Sequence, residues 1–509
     1  MTIMKLINYI LPVALLTTGV SCKKWVEPTL YSSLSDTDAF QKKDDAVAAV
    51  NGVYSRLKQP SGIGDSYQYY AGFQMTISDF TTDIGHSSQS GDISLLSDCQ
   101  WSTNNKYLNF AWQHQYKLVS DANTAMYYLG KMTTITDAEK DQFMSELRFL
   151  RAIGYMDLTD AFGPVILMTE QNIGSPSYSS QPKTSTIEEI EKFITEDLQF
   201  AAAHLPVNYV NNAIYPTNDV GRATKGAALS LLTKLYMRQH NWQGVVDLTK
   251  QIADLNQYEL FPTYAGLFAE SNKWCKEFIF SALADALNDG TELMNHFGPL
   301  NNPVVTDRWQ YYAVSWYFWN SYAKNDDRRE MFFYDYQGSD GLHYMQAPAG
   351  VINPPEGAYY LPDVATKKYA DPAGSKTYYD GHGIPILRYA DILLCRAEAL
   401  NELNGPNDES IGLINSVKNR SHATPLTAAG TYTKETLRDA ILQERSWELF
   451  FECKRRQDLI RMNKYQDVVN TYLNAVGKQP VISMPKHKYF PYPQTQVDLN
   501  PNLDNSGRL

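Results

Sequence analysis

Three glutamates in the C-terminal part of the sequence have the spacing that could most readily support catalysis. Glu444, Glu448 and Glu452 recur every four residues, so on a helix they would share one face. Two carboxylates about 5–9.5 Å apart can hydrolyse a glycosidic bond by general acid–base chemistry. Arg445 and Arg455, however, stand three residues from Glu448 and Glu452, and opposite charges at this spacing are typical of ion pairs. We therefore expect a structural ion-pair network in this segment.

The rest of the sequence lacks the usual catalytic motifs. It contains no HExxH, GxSxG, GxxxxGK or GxGxxG pattern. Ser55 and Lys58 form an SxxK pattern, but it falls on a predicted helix without its companion motifs. The acidic run over residues 285–292 lacks the alternating oxygen ligands of a calcium loop. We expect no catalytic activity, no bound metal and no cofactor.

Aromatic residues are the remaining candidates, and their chemistry would be recognition. The chain has 35 Tyr and 9 Trp. A sugar presents an apolar face of C–H groups and a rim of hydroxyls, so its site needs flat rings together with Asp, Asn or Arg side chains. Residues 67–104 and 308–319 combine these types. The candidate ligand-binding residues are Tyr67, Asp83, Trp101 and Asn104 in the first region, and Trp309, Tyr311 and Trp316 in the second.

The spacing within the second region also permits another interpretation. Tyr312, Trp316 and Trp319 follow one another at steps of four and three residues. Rings that are buried along one face of a helix have the same spacing. The sequence therefore leaves open which of these rings contact a ligand and which belong to the core.

The N-terminal segment predicts export and lipid attachment. Lys5 precedes a short apolar run over residues 6–16, and small residues then lead to Cys22. This order is typical of a secretory signal peptide, and the run is too short to cross a bilayer. The cysteine resembles that of a bacterial lipobox, although Gly19 stands where that motif prefers Leu. We predict a signal peptide over residues 1–21 and acylation of Cys22, the alternative being an unmodified cysteine after a plain signal peptide.

The net charge and the spacing of the cysteines each exclude a class of function. The net charge is −11, and the sequence has no cluster of Lys and Arg, which argues against binding to nucleic acid. Besides Cys22 there are Cys99, Cys275, Cys395 and Cys453, none of them in a CxxC pattern, so neither a zinc site nor a redox site is indicated. These four could pair in three ways, and we expect free buried thiols.

Helical periodicity dominates the sequence from about residue 36 onward. Segments 223–255 and 387–419 each predict two helices joined by a short turn, with small residues where the helices would cross. This layout is typical of tetratricopeptide repeats. The fold class predicted is therefore all-α dominated, with a tetratricopeptide-like scaffold of helix pairs. The predicted helices cover residues 44–58, 106–130, 137–162, 223–239, 242–255, 387–403 and 409–419.

The pattern changes between about residues 261 and 383. Pro, Gly and Asn recur there, and aromatic residues cluster without a clear period. A segment so rich in Trp and Tyr is not expected to be disordered. We predict one domain over residues 22–509, with its helical scaffold at about 36–260 and 384–465. A loop-rich aromatic insertion is predicted at about 261–383, and an extended C-terminal segment at about 466–509.

Six blocks of the sequence together resemble the SusD-like family, also called the RagB-like family. The most diagnostic block is IPILRYADILLCRAEALNELN over residues 384–404, and another is ILQERSWELFFECKRRQDLIR over residues 441–461. The other blocks cover residues 40–57, 146–167, 221–260 and 490–503. The aromatic insertion departs from the family pattern, as expected for a segment that selects the ligand.

The resemblance implies a non-catalytic protein that is lipid-anchored at the outer membrane and exposed on the cell surface. Proteins of this kind capture oligosaccharides, or less often peptides, and deliver them to a SusC-like TonB-dependent transporter. Their ligand face is formed by loops near the first helices together with the central insertion. Two other classes stay open, namely a helical glycoside hydrolase and an assembly lipoprotein without a small ligand.

Overall fold

The structure is a computed structural model that describes residues 40–58, 69–87, 89–173, 181–215, 219–285, 290–305, 308–371 and 380–508. The signal peptide predicted over residues 1–21, the predicted lipidation site Cys22 and the candidate ligand residue Tyr67 lie outside these ranges. Within them, no helix combines the length and the apolar character needed to cross a membrane.

Helices form most of the described structure and confirm the predicted fold class. The helices of the described ranges are α1 (Lys43–Tyr54), α2 (Met75–Ser78), α3 (Asp92–Ser97), α4 (Lys106–Lys131), α5 (Asp137–Phe162), α6 (Ile187–His204), α7 (Lys225–Arg238), α8 (Trp242–Asp254), α9 (Tyr264–Leu267), α10 (Leu293–Phe297), α11 (Trp316–Asn320), α12 (Tyr389–Asn404), α13 (Asp408–Arg420), α14 (Lys434–Glu448), α15 (Arg455–Arg461), α16 (Tyr465–Ala475) and α17 (Gln494–Leu499).

Short strands join distant parts of the chain. They are β1 (Gly85–His86), β2 (Phe278–Ala282), β3 (Ala313–Val314), β4 (Phe332–Phe333), β5 (Tyr336–Gln337), β6 (His343–Met345), β7 (Ala358–Tyr360), β8 (Ala365–Thr366) and β9 (Ile384–Arg388). β1 pairs with β3, β2 with β9 and β4 with β8, and β5, β6 and β7 form a three-stranded sheet.

Helix α5 shows why long helices could be predicted from sequence. At its start, the hydroxyl of Thr136 accepts a hydrogen bond from the backbone N–H of Glu139, and the Glu139 carboxylate accepts one from the N–H of Thr136. At its end, Gly163 adopts a φ of 69°, which favours glycine, and Pro164 follows. The helix therefore has the predicted range, 137–162.

The two predicted helix pairs are present and pack against each other. Helices α7 and α8 form the first pair, and α12 and α13 form the second. Between α7, α8 and α12, Met237, Val245, Cys395 and Ala399 form a buried cluster. Small side chains allow the helices to approach closely there, as in tetratricopeptide repeats.

The helix that was predicted to begin at residue 387 begins instead at Tyr389. Residues 384–388 form β9, which pairs with β2 in an antiparallel register that joins Ala282 to Ile384. All five residues of β9 are buried, so their apolar run is that of a fully buried strand. The C-terminal part, predicted to be extended, likewise starts with α16, whose Val469, Tyr472 and Leu473 are buried at helical spacing.

One hydrophobic core extends from the helices into the region between residues 261 and 383. Phe80 lies 5.2 Å from Tyr312 and 5.7 Å from Phe451, measured between ring centroids. These three rings come from the turn after α2, from the segment before β3 and from the segment after α14. The described part of the central region is therefore packed on the helical scaffold.

The four cysteines outside the N-terminal segment are free, which confirms the expectation from their spacing. Cys99, Cys395 and Cys453 are buried, whereas Cys275 is half-buried. Burial raises the pKa of Cys99 to about 12 and that of Cys395 to about 11. Both thiols are therefore protonated and unreactive near neutral pH.

Candidate functional site

Strands β1 and β3 bring together the two regions that were predicted to bind a ligand. Gly85 pairs with Val314, and His86 pairs with Ala313. The loop after α2 thus lies beside the aromatic segment over residues 308–319. Four side chains flank β3, and we refer to Trp309, Tyr311, Trp316 and Tyr317 as the β3 rings. Trp309, Tyr311 and Trp316 are half-buried, and Tyr317 is 38% exposed.

The segment before β3 is held against α10 by backbone hydrogen bonds. The N–H of Trp309 donates to the carbonyl of Asn295 at 2.8 Å, and the N–H of Tyr312 donates to that of His296 at 2.9 Å. The Trp309 and Tyr311 rings meet edge to face at 5.9 Å, and both contact the ring of His296. Burial lowers the pKa of His296 to about 4, so this imidazole is neutral at physiological pH.

The first turn of α11 positions the other two β3 rings. The Ser315 hydroxyl caps this helix by accepting from the N–H of Phe318. The indole N–H of Trp316 donates to the carbonyl of Leu361 at 2.8 Å, which fixes the orientation of its ring. Tyr317 packs on Tyr472 at 5.6 Å and leaves part of its ring open to solvent.

Two rings of this region belong to the core, as the alternative interpretation of their spacing allowed. Tyr312 is fully buried and Trp319 is 5% exposed. Trp319 packs at 5.3 Å against Trp316 and lies under the guanidinium of Arg329 at 3.9 Å. Of these three rings at helical spacing, Tyr312 and Trp319 are core residues, and Trp316 lies at the edge of the core.

A charged pair lies on β1, the strand beside β3. Nδ1 of His86 lies 2.5 Å from a carboxylate oxygen of Asp363, a residue just before β8. Burial disfavours the charged imidazole, but the hydrogen bond and charge of Asp363 outweigh it and raise the pKa of His86. Asp98 and Lys478 form a second pair at 2.9 Å, and both act on the charge of His86.

Asp83, one of the predicted ligand residues, is used within the protein. Both of its carboxylate oxygens accept hydrogen bonds from Arg455 at 2.8 Å, in the paired geometry that guanidinium and carboxylate groups prefer. Asp83 is buried, and its charge also acts on the nearby hydroxyl of Tyr317. A ligand contact of Asp83 stays a prediction. In the structure its carboxylate holds the guanidinium of Arg455 in place.

Trp101 lies against the C-terminal segment, and Asn104 follows three residues later. The Trp101 indole is 8% exposed and meets the rings of His487 and Phe490 edge to face. The neighbouring carbonyl of Thr103 accepts a hydrogen bond from the N–H of Gln494. Asn104 is exposed. Of the ring partners of Trp101 in the described residues, Phe490 belongs to the core and His487 is half-buried, and a contact of Trp101 with a ligand stays a prediction.

A stack of tyrosines on the three-stranded sheet was not among the predicted site residues. Tyr336, Tyr344 and Tyr359 are cross-strand neighbours on β5, β6 and β7. The first two rings are parallel within 3° at 5.0 Å, and Tyr359, 37% exposed, lies 5.0 Å from Tyr344. The turn Gly338-Ser-Asp-Gly341 between the tyrosines of β5 and β6 is a hairpin signal that could have revealed this arrangement.

The glutamates that resembled a catalytic set are bound in the expected ion-pair network. Arg388 lies 2.5 Å from Glu448 and 2.8 Å from Glu452, and Arg328 lies 2.7 Å from Glu444. All these side chains are 0–1% exposed. Burial opposes ionisation of Glu448, but Arg420 and Arg388 outweigh it and lower its pKa to about 2. Such a carboxylate cannot donate a proton near neutral pH.

The side chains of the described ranges form no cluster of three or more His, Cys, Asp or Glu that could hold a metal ion. The site is instead a set of rings bordered by ion pairs. Such a surface can stack against the apolar face of a sugar and offer polar groups to its hydroxyls.

Comparisons of the sequence with known proteins point to one family. Residues 298–506 match the model described as the SusD family, and residues 39–237 match one described as starch-binding and associating with the outer membrane. A SusD-like protein of Formosa agariphila is 25% identical, with 98% of each chain covered.

Two solved structures share the fold. A SusD homologue from Bacteroides thetaiotaomicron has a TM-score of 0.75 and 23% identity, with 92% of this chain and 97% of the other covered. The surface glycan-binding protein A of the same species, solved in complex with laminarihexaose, has a TM-score of 0.72 and 20% identity, with 91% and 99% covered.

Proposed function

This chain belongs to the SusD-like family, and from that premise we propose that it captures oligosaccharides at the outer membrane through the β3 rings. The carbohydrate-binding role and the association with the outer membrane follow the description of the matching family. The observation that carries the proposal is the pairing of β1 with β3, which brings His86 and its partner Asp363 beside the segment that carries the half-buried rings.

The chemistry of the β3 rings suits a sugar. Tyr317 presents a ring that is 38% exposed, and Trp309, Tyr311 and Trp316 present half-buried rings that pack against their neighbours. Rings that are fixed before binding lose little entropy when a sugar stacks on them. Each stacking contact is small, so we expect a Kd in the micromolar range or weaker for a single site.

The proposal extends to delivery and anchoring. After cleavage of the signal peptide, acyl chains on Cys22 would hold the protein on the membrane at the cell surface. Captured oligosaccharide would pass to a SusC-like TonB-dependent transporter, which is the partner that the family implies. The insertion at about 261–383 would carry the ligand platform, and the helix pairs would serve as its frame. The protein would not act as an enzyme, since the candidate carboxylates are bound to arginines.

The test compares a double variant, Trp309→Ala with Tyr317→Ala, with the wild type. Laminarihexaose, maltohexaose and a hexapeptide serve as probes in isothermal titration calorimetry. We expect one of the sugars to bind the wild type and to bind the double variant at least about tenfold more weakly, because two stacking rings are lost. Adding Trp101→Ala and Asn104→Ala separately tests the predicted contacts near the C-terminal segment.

A matched control is Tyr127→Ala, which removes a half-buried ring on α4, at a distance in sequence from β3. This variant should keep the affinity of the wild type. Equal affinity of the double variant for a sugar that binds the wild type would refute the proposed platform. Binding of the peptide alone would assign the protein to a peptide-capturing role instead, and hydrolysis of a probe would support a glycoside hydrolase.

A further inference from the structure

A cleft of about 660 Å³ lies inside the helical scaffold, apart from the β3 rings. Its walls come from α5, α7, α12 and α15, and none of the β3 rings lines it. Ligand pockets in proteins usually measure about 300–1,000 Å³. The cleft is therefore large enough for a molecule of one or two sugar rings.

The charges on the walls of the cleft balance. Six acidic and six basic residues line it, so its formal charge is zero when His240 is neutral. Several of them form close pairs across neighbouring helices, with 2.8 Å between Arg238 and Asp160 and 2.8 Å between Arg438 and Glu402. The lining therefore carries no net charge that would favour an ion, and several of its charges already have a counter-charge.

Polar groups of the lining nevertheless have hydrogen-bonding capacity to spare. Within the described ranges, the amide side chain of the half-buried Gln457 has no hydrogen-bond partner, and Asn463, which also lines the cleft, is exposed. Paired carboxylates and guanidinium groups also retain lone pairs and N–H groups beyond those used in the pair. Vicinal hydroxyls of a sugar can accept from and donate to such groups at the same time.

Aromatic rings complete the lining. Trp242 is half-buried and stacks on His240 at 5.0 Å with 14° between the ring planes. Tyr489 also faces the cleft, and its ring packs against Gly163, where a Cβ atom would come within 2.7 Å of it. Rings held in this way can contact the C–H face of a sugar without further ordering.

We propose that this cleft is a second binding site, which takes a neutral, hydroxyl-rich molecule the size of a mono- or disaccharide. The site is independent of the oligosaccharide platform at β3. An occupant would contact four helices at once, so it would hold α5 and α7 against α12 and α15. Binding of a small sugar would thereby stabilise the scaffold by an amount that grows with its free concentration.

Hydrogen exchange detected by mass spectrometry tests the site. D-glucose and maltose, each at about 20 mM, serve as neutral probes, and D-glucuronate and L-glutamate serve as charged ones. With a Kd near 1 mM, a neutral probe should slow exchange by up to about twentyfold in peptides that cover residues 153–160, 231–238 and 455–463. Gln457→Trp should abolish this protection, since the indole would fill the cleft.

Gln243→Trp is the matched control, because Gln243 is exposed on α8 and does not line the cleft. This variant should keep the protection, and so should the double variant Trp309→Ala with Tyr317→Ala, whatever its affinity for oligosaccharide. The second site would be refuted if neither neutral probe protected these peptides, or if protection persisted in Gln457→Trp. Protection by the charged probes alone would overturn the ligand class.

Discussion

At the scale of single residues, the pair of His86 and Asp363 makes the stability of the region around β3 depend on pH. The pKa of His86 is raised in the folded protein, against about 6.5 in the unfolded chain. The pair therefore contributes its full stabilisation below about pH 6.5, and this contribution disappears as the pH rises through the folded pKa. The other charged groups that act on His86 are Asp98 and Lys478, which pair with each other at 2.9 Å.

Asp363→Asn should accordingly lower the free energy of unfolding more at pH 5.5 than at pH 8.5, as measured by urea titration. The control is Asp335→Asn, which removes the partner of His343 from an exposed pair at 2.8 Å. Solvent screens that pair, so its loss should have little effect at either pH. An effect of Asp363→Asn that is the same at both pH values would contradict this account of His86.

The buried glutamates permit a second prediction at the residue scale. Glu448 accepts hydrogen bonds from Arg388 and Arg420 and lies 3.2 Å from Arg328. Glu448→Gln leaves these guanidinium groups without enough negative charge in the interior. We expect the free energy of unfolding to fall by about 3–5 kcal/mol, as it does when one partner of a buried ion pair is removed.

A suitable control for Glu448→Gln is Asp254→Asn, because Asp254 forms an exposed pair with Lys250. Removal of that pair should change the free energy of unfolding by at most about 0.5 kcal/mol. A loss below about 1 kcal/mol for Glu448→Gln would mean that the network does not hold the helices together.

The candidate site could be predicted only in part, and the reason is visible at particular residues. Trp309, Tyr311 and Trp316 stand out because aromatic side chains are dense around them. The partner of Asp83 is Arg455, which is 372 residues away in sequence, and no local pattern encodes such a pair. Tyr317 and Tyr359 are exposed only because of how their neighbours pack, and sequence spacing does not report this.

At the scale of elements, most of the long helices could be predicted, although α6 and α14 were not among the predicted ones, and the strands could not. Helix α5 carries its own start and stop signals in Thr136, Glu139 and Gly163. The strands β1 and β3 have two residues each, which is too short for any alternation of polar and apolar side chains. They exist because distant segments supply their partners. The positions of the helices therefore follow from local sequence, whereas the surface between them depends on tertiary packing.

The end of α5 offers a test of how tightly the C-terminal segment is packed. Gly163 has a φ of 69°, and an added Cβ atom would lie 2.7 Å from the ring of Tyr489. Gly405 ends α12 with a φ of 74° and has open space around it. Gly405→Ala should cost about 1 kcal/mol through backbone strain, and Gly163→Ala should cost about 1–3 kcal/mol more because of overpacking.

Thermal and urea unfolding of both variants measure this difference. Adding Tyr489→Ala to Gly163→Ala should recover the part of the loss that comes from the clash, and it should recover nothing when it is added to Gly405→Ala. Equal losses for the two single variants would show that Tyr489 is not held firmly against the end of α5.

At the scale of the whole molecule, the proposed ligand sites and the predicted lipid anchor lie in different parts of the chain. The β3 rings, the tyrosine stack and the proposed cleft all belong to the described body between residues 69 and 508. The predicted lipid attachment is at Cys22, before the first described helix begins at Lys43.

Cys22→Ser should therefore separate localisation from binding. The predicted acyl chains contribute about 0.8 kcal/mol per buried methylene, and more than one chain makes the attachment stable. When the protein is expressed in a Gram-negative host, we expect the wild type to incorporate radiolabelled palmitate and to sediment with outer membranes. The variant should do neither, and it should keep the sugar affinity of the wild type. Cys275→Ser, which changes a half-buried free thiol in the body, should sediment like the wild type. Retention of Cys22→Ser in washed membranes would show that contacts other than lipid hold the protein there.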